Sequence, residues 1–363
     1  MTSRRKFIKS ASLLTLSNIL PVQSVLAAPQ TIVGVIYVGA RSDFGYSQAQ
    51  ASAVNVIKKM PHVKVVEQES VPETIAVQKA IEAMIVQDGA TLIFATSFGY
   101  FDPHVLKMAA KYPQVRFAHC GGLWKRGNPS NIASYFGHID EYQYLNGVVA
   151  GHMTQSKKLG FVAAKPISQV LRNINAFTLG AQSVDPSIKT QVIFTGDWSL
   201  LVKEAEATNS LIDQGCDVLT CQVDGPKVVV GTAEKRGVMS CGFHASQAAL
   251  APQGYLTGAE WDWATPYTQL LSAAQSGAPQ PNILRGGLKE KYVKMAPYGP
   301  KVSASAKQNA DSIKRSMEAG NFVIFEGPMK DNKGATAIAA GVSHVQSDRI
   351  LESMNYLVAG VVG

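Results

Sequence analysis

The sequence predicts an α/β chain folded as two doubly wound lobes, each a parallel sheet covered by helices. Three observations predict it. Unbroken apolar runs such as Thr31-Ile-Val-Gly-Val-Ile-Tyr-Val38 read as strands buried on both faces. Amphipathic stretches separate them: within Glu73 to Gln87, the residues Val77, Ala80, Ile81, Met84 and Ile85 share one helical face. The alternation runs through to Phe136 and restarts at Glu141, and strand–helix alternation of this kind requires parallel sheets with both faces covered.

Taken in order, the first series has strands at 31–38, 63–66, 91–95, 115–119 and 132–136. Helices at 49–60, 73–87 and 104–112 lie between them, the second stopped by Asp88-Gly89 and the third by Pro113. The second series opens with a helix at 141–153, followed by strands at 159–163, 189–194, 217–220 and 238–240. Helices at 169–184, 200–214 and 227–235 connect these strands. Beyond residue 255 the pattern loosens into a strand at 255–258, a helix at 266–276, the turn Gly277-Ala-Pro-Gln-Pro281 and a helix at 302–319. A late strand at 321–325 and a closing helix at 348–357 complete the prediction.

The N-terminus carries an address. Arg4-Arg5-Lys6 precedes an apolar run from Ala11 to Leu20 and the small-residue end Val25-Leu-Ala-Ala28, the three parts of a cleavable export signal. The run is shorter than the roughly 20 residues a membrane span needs. Ser3-Arg4-Arg5-Lys6-Phe7-Ile8-Lys9 is similar to the twin-arginine form, whose passengers are exported folded. Cleavage is expected after residue 28, giving a periplasmic protein without a lipid anchor, because no cysteine follows the run. The formal charge of +8 includes four from Arg4, Arg5, Lys6 and Lys9, leaving +4 on the remainder with no dense basic stripe. A nucleic-acid partner is therefore not expected. Cys120, Cys216, Cys221 and Cys241 lack metal-ligand spacing and read as small buried thiols; Cys221 and Cys241 are the one pair to test for a disulfide.

In open parallel sheets ligands sit beyond the carboxyl ends of the strands. The loops at those ends are rich in aromatic residues: Phe44, Tyr46, Phe98, Tyr100, Phe101, Trp198, Phe243, Trp261 and Trp263. Flat apolar faces beside Asp, Gln, Asn and His suit a planar heteroaromatic ligand, although any single ring could instead pack the lobe interface. Asp224 and His244, at strand ends, and Asn175, in the helix opening toward the cleft, are candidates to address ring edges. Asp43 is similarly placed, while Asp197 and Asp262 are as readily helix caps. No phosphate loop, dinucleotide fingerprint, zinc-protease motif or serine-hydrolase elbow is present, and no cofactor is expected. A hydrolase acting on nucleosides is the enzymatic rival, and a ligand sensor using the same fold is a third reading.

Several blocks carry a resemblance: Gly147-Val-Val-Ala-Gly-His-Met153, Gly160-Phe-Val-Ala-Ala-Lys-Pro166, Asn175-Ala-Phe-Thr-Leu-Gly180-Ala, Leu211-Ile-Asp-Gln-Gly-Cys-Asp217 and Met354-Asn-Tyr-Leu-Val-Ala-Gly-Val-Val-Gly363. Together with Trp198 they resemble the basic membrane protein family of solute-binding proteins over nearly the whole mature chain. The resemblance implies a type I periplasmic binding protein, with two lobes, a hinge of three crossovers and a ligand cleft. Lobe 1 would hold residues 29–138 and about 258–285, lobe 2 residues 139–257 and about 286–363. It implies a monomeric receptor that delivers a purine nucleoside or nucleobase to the permease of an ABC importer. The family's Asp-x-Ser-Phe-Asn segment is matched by Asp43-Phe-Gly-Tyr46-Ser47, which puts Tyr46 in the stacking place and Ser47 in that of the Asn. The lysine of the nucleoside binders is replaced by Glu260-Trp261-Asp262-Trp263, which favours a free nucleobase such as adenine. The implied ligand set is Tyr46, Phe98, Asn175, Trp198, Asp224, His244, Trp261 and Trp263.

Overall fold

The computed structural model describes residues 30–363, so the expected export signal lies outside the described residues. The chain begins with β1 (Thr31–Ile36), α1 (Tyr46–Ile57), β2 (Val63–Gln68), α2 (Ala76–Val86), β3 (Leu92–Ala95), α3 (Leu106–Lys111), β4 (Arg116–Cys120) and β5 (Ile132–Gly137). It continues with α4 (Asp140–Met153), β6 (Lys158–Ala163), α5 (Ser168–Gln182), β7 (Lys189–Phe194), α6 (Leu201–Asp213), β8 (Val218–Gln222), α7 (Lys227–Lys235), β9 (Met239–His244) and β10 (Tyr255–Trp261). Then come α8 (Ala264–Ser276), β11 (Ile283–Gly286), β12 (Val293–Met295) and α9 (Ala304–Glu318). Short pairs follow, β13 (Phe325–Glu326) with β16 (Ser343–His344) and β14 (Met329–Lys330) with β15 (Thr336–Ile338), before β17 (Val361–Val362).

Two sheets form, ordered β11-β5-β4-β3-β1-β2 and β12-β10-β9-β8-β6-β7-β17. The first is parallel throughout, and in the second only β12 pairs antiparallel. The unbroken apolar run of β1 follows from burial on both faces. Val33 and Val35 pack with Ala49, Ala53 and Val54 of α1, while Ile36 joins Val77, Ile81 and Met84 of α2.

The chain crosses between lobes three times: from β5 into α4, from β10 into α8, and from β11 into β12. The strand Tyr255–Trp261 lies wholly in the second sheet, so the return to lobe 1 comes at Asp262-Trp263, later than the expected residue 258. It is the following helix, α8, that packs on α1 of lobe 1. The expected closing helix over 348–357 is also corrected: only a single 3-10 segment, Arg349–Ser353, forms. Beyond it the chain is extended, because Asn175 and Asp331 hold residues 356–358 in place.

The seam of the second lobe is the α4–α5 pair. A Cβ at Gly147 would overlap the Phe177 carbonyl, and one at Gly180 the Tyr144 carbonyl, so both glycines permit the helices to touch backbone to backbone. All four cysteines are buried and unbridged. Cys221 packs with Ala207, Leu211 and Val229, whereas Cys241 belongs to the core on the other side of the sheet. Neighbouring strands thus carry the two thiols on opposite faces, and the pair singled out for testing is not bridged.

Candidate functional site

Strand order reverses between β1 and β3 in the first sheet and between β6 and β8 in the second. Loops diverge at such switch points and leave a crevice beyond the strand ends. The registers set those ends level: Ile36 pairs Ala95 and Ala95 pairs His119, while Ala163 pairs both Phe194 and Gln222. The two crevices face each other across a narrow compartment with about 40 Å³ of free space.

Six expected residues line it: Tyr46, Phe98, Trp198, Asp224, His244 and Trp261. Each follows or ends a different strand, so one side chain per connection converges on the same space. Phe136, Gln169, Gln222 and Cys120 complete much of the wall and were not singled out from sequence. A neighbouring compartment shares Phe98, Phe136 and Gln169 and extends toward the hinge, where the Arg172–Asp140 ion pair closes at 2.8 Å. Arg172, like Asn173, therefore faces cleft space but is already engaged.

The aromatic wall is layered. Trp261 stacks on Trp263 with centroids 4.4 Å apart and planes 18° from parallel, and Phe136 meets Trp261 edge-on at 5.4 Å. Such pairs add about 0.5–1.5 kcal/mol beyond their burial. Trp263 does not reach the compartment. It is buried behind Trp261, with Tyr135 against its edge, and serves as the backing layer. The tyrosine opposite is also held: Tyr46 donates its hydroxyl to the Thr96 carbonyl.

His244 takes a positive φ of 74° at the end of β9, an uncommon backbone state for a residue with a side chain. Its Nδ1 accepts the Trp261 indole N–H at 2.8 Å, and its ring meets Tyr46 edge-on at 5.3 Å. Burial lowers its pKa to about 3, so the imidazole is neutral. One of its two ring nitrogens is thus committed to the protein.

Asp224 is the one acid among the described residues of this wall. Its backbone is fully used, the N–H donating to the Trp198 carbonyl and the C=O accepting from Tyr46 N. Its carboxylate has no hydrogen-bond partner among the described residues; burial, then Asp43 and Glu73, raise its pKa well above the usual range. Gln222 stands nearby in sequence and in the same wall. Asn173 donates to Gln222 Oε1 at 2.7 Å, which leaves the Gln222 NH2 group as a donor.

Asn175 is a correction. Its amide donates to the Tyr356 carbonyl at 2.9 Å and accepts from Val358 N at 2.9 Å. The side chain faces the C-terminal tail, away from the compartment, because the cleft side of α5 is taken by Gln169, Arg172 and Asn173. Asp43 is equally committed, accepting from the backbone N–H groups of Gly45, Ser47 and Gln48 at 2.7, 2.8 and 3.0 Å. Asp197 pairs with Lys165 at 2.7 Å, and that ammonium lies 5.3 Å from the centre of the Trp198 ring.

The chain is similar to known proteins over nearly its whole length. It is 34% identical, over 91% of the chain and 92% of the relative, to a purine-binding protein of Brucella abortus. It is also 32% identical, over 80% of the chain and 73% of the relative, to a Haloferax volcanii protein named for glucose binding by an ABC transporter. A solute-binding protein of an ABC transporter system from Aeropyrum pernix superposes with a TM-score of 0.68 at 20% identity, covering 84% of this chain and 93% of that one, which shows the shared fold. Residues 30–333 match the family model described as ABC transporter substrate-binding protein PnrA-like, and the chain therefore belongs to that family, Bmp.

Proposed function

We propose that this substrate-binding protein takes up a purine nucleobase, of the aminopurine kind, in the compartment between its lobes and presents it to an ABC permease at the outer face of the membrane. The observation that carries the reading is the unpartnered Asp224 carboxylate beside the Gln222 amide donor, set in a wall of aromatic rings. A purine offers two ring faces for stacking and an edge that alternates donors with acceptors. Tyr46 and Trp261 would cover its faces, with Phe98 and Trp198 closing the sides. Asp224 would accept from an amino group or ring N–H, and Gln222 would donate to a ring nitrogen. The lining residues include no lysine or arginine to meet a phosphate, so nucleotides are poor candidates.

The purine-binding relative supports the ligand class, and the family supports delivery to a permease. Thermal unfolding tests the reading. Any ligand that binds only the folded state raises the melting temperature as its concentration exceeds the dissociation constant. Adenine is expected to give the largest shift in a panel of purines, pyrimidines, their nucleosides, adenine nucleotides and glucose. A shift with glucose and none with any purine rejects the proposal.

A further inference from the structure

Away from the three crossings, the lobes also meet at the segment Phe44-Gly45-Tyr46 of lobe 1. Tyr46 N donates to the Asp224 carbonyl of lobe 2 at 2.9 Å, and Gln247 Nε2 donates to the Phe44 carbonyl at 2.6 Å. Lys227 lies 5.8 Å from the centre of the Phe44 ring. Between these contacts Gly45 sits directly against lobe 2, where a Cβ would overlap the Asp224 carbonyl oxygen and the ring of Pro226.

The segment is built for this approach. Asp43 ties down the backbone N–H groups of Gly45, Ser47 and Gln48, and Phe44 is held at a φ of 58°. A non-glycine residue in that region costs about 1–3 kcal/mol unless its surroundings over-determine it. Here the strain presents three consecutive residues to the facing lobe. Gln247 is likewise pre-positioned, being fully buried and accepting from Phe243 N at 2.9 Å.

We propose that Phe44-Gly45-Tyr46 is the closing latch of this protein and that Gly45 is its closure-determining residue. The latch engages only when the lobes are shut, because its donors and acceptors lie on different lobes. It is joined to the site through two residues that serve both: Tyr46 and Asp224 give their backbones to the latch and their side chains to the compartment. Closure and ligand contact are therefore coupled by shared residues. A side chain at position 45 penalises the closed state alone, and apparent affinity falls by the lost closed fraction.

The purine arm of the test rests on the reading under "Proposed function"; the amide-exchange arm does not. Hydrogen exchange at the Tyr46 amide is compared in the wild type, Gly45→Val and Gly45→Ala, each with and without adenine. Gly231→Ala, whose added Cβ meets open space, is the control. The expected result is a protected Tyr46 amide in the wild type and control, and loss of that protection in both position-45 variants. Adenine affinity should fall about tenfold or more, corresponding to roughly 1.4 kcal/mol. Gly45→Ala carries the comparison if Gly45→Val does not fold. Equal Tyr46 protection in wild type and variants, with or without adenine, overturns the latch. Absence of any purine binding by the wild type overturns the ligand reading, while the exchange comparison still decides the latch.

Discussion

The indole N–H of Trp261 donates to Nδ1 of His244 across 2.8 Å, joining the ends of two adjacent parallel strands, β9 and β10. The bond sets the imidazole tautomer and fixes the plane of the indole that walls the compartment. His244 is thus a positioning residue for Trp261. Replacing it with alanine leaves the Trp261 N–H buried without a partner, a cost of about 1–3 kcal/mol. His244→Ala is expected to lower both stability and adenine affinity and to shift tryptophan emission. His244→Asn supplies an acceptor and tolerates positive φ, so it should recover most of the loss. Calorimetric titration of the two variants measures the difference; equal losses would assign the effect to the imidazole itself.

Asp224 sets function against stability. Burial and neighbouring acids raise its pKa, so the folded protein holds the proton more tightly than the unfolded chain. At pH values above the folded-state pKa, the ionised group therefore opposes folding, and acidification through that pKa relieves the cost. Asp224→Asn is expected to raise the ligand-free melting temperature at pH 8 and to weaken adenine binding by about tenfold or more, since one of the two acceptor oxygens is replaced by an NH2 group. Wild-type affinity should fall on acidification as the carboxylate is protonated, whereas the residual affinity of the variant should not follow that titration. Melting curves and titrations across a pH series check both.

Asn175 offers a test of the corrected assignment. Its amide holds the extended tail through Tyr356 and Val358. Asn175→Ala would leave buried backbone groups unpaired, at roughly 1–3 kcal/mol. A lower denaturation midpoint with unchanged adenine affinity is expected. Loss of affinity without loss of stability would return the residue to the ligand site.

What the sequence made legible, and what it did not, follows from physics at particular positions. The parallel lobes were readable because β1 and its counterparts are apolar on both faces, a signal that needs no tertiary information. Tyr46, Phe98, Trp198, Asp224, His244 and Trp261 came within reach through the strand-end rule. Gln169 and Asn175 show its limit on a helix. Ser168, Gln169, Arg172 and Asn173 share the cleft side of α5, and Asn175 lies about 200° around the helix from Asn173. That facing could not be set without knowing where the tail docks. Trp263 could not be told from Trp261, since whether a ring lines a cavity or backs its neighbour depends on the crossing into α8. Gly147 and Gly180, which carried much of the family resemblance, are seam residues of α4 and α5 and lie outside the compartment.

The fully buried His119 makes a further prediction about pH. Its Nε2 bonds the Ser97 carbonyl at 2.9 Å, its ring lies 4.9 Å from Phe101, and desolvation lowers its pKa from 6.5 to about 4. Between those two values the unfolded chain binds a proton that the folded protein does not. Stability contributed by keeping His119 neutral is therefore complete above pH 6.5 and is lost as pH falls toward 4. His119→Phe removes this titration while leaving the Ser97 carbonyl unpaired. The variant should be less stable than the wild type at pH 7, and the gap should narrow on acidification, by at most about 1.4 kcal/mol per pH unit. Denaturant unfolding of both proteins at pH 7, 6, 5 and 4 measures the gap, and a gap that stays constant or widens would mean that His119 is protonated in the folded state.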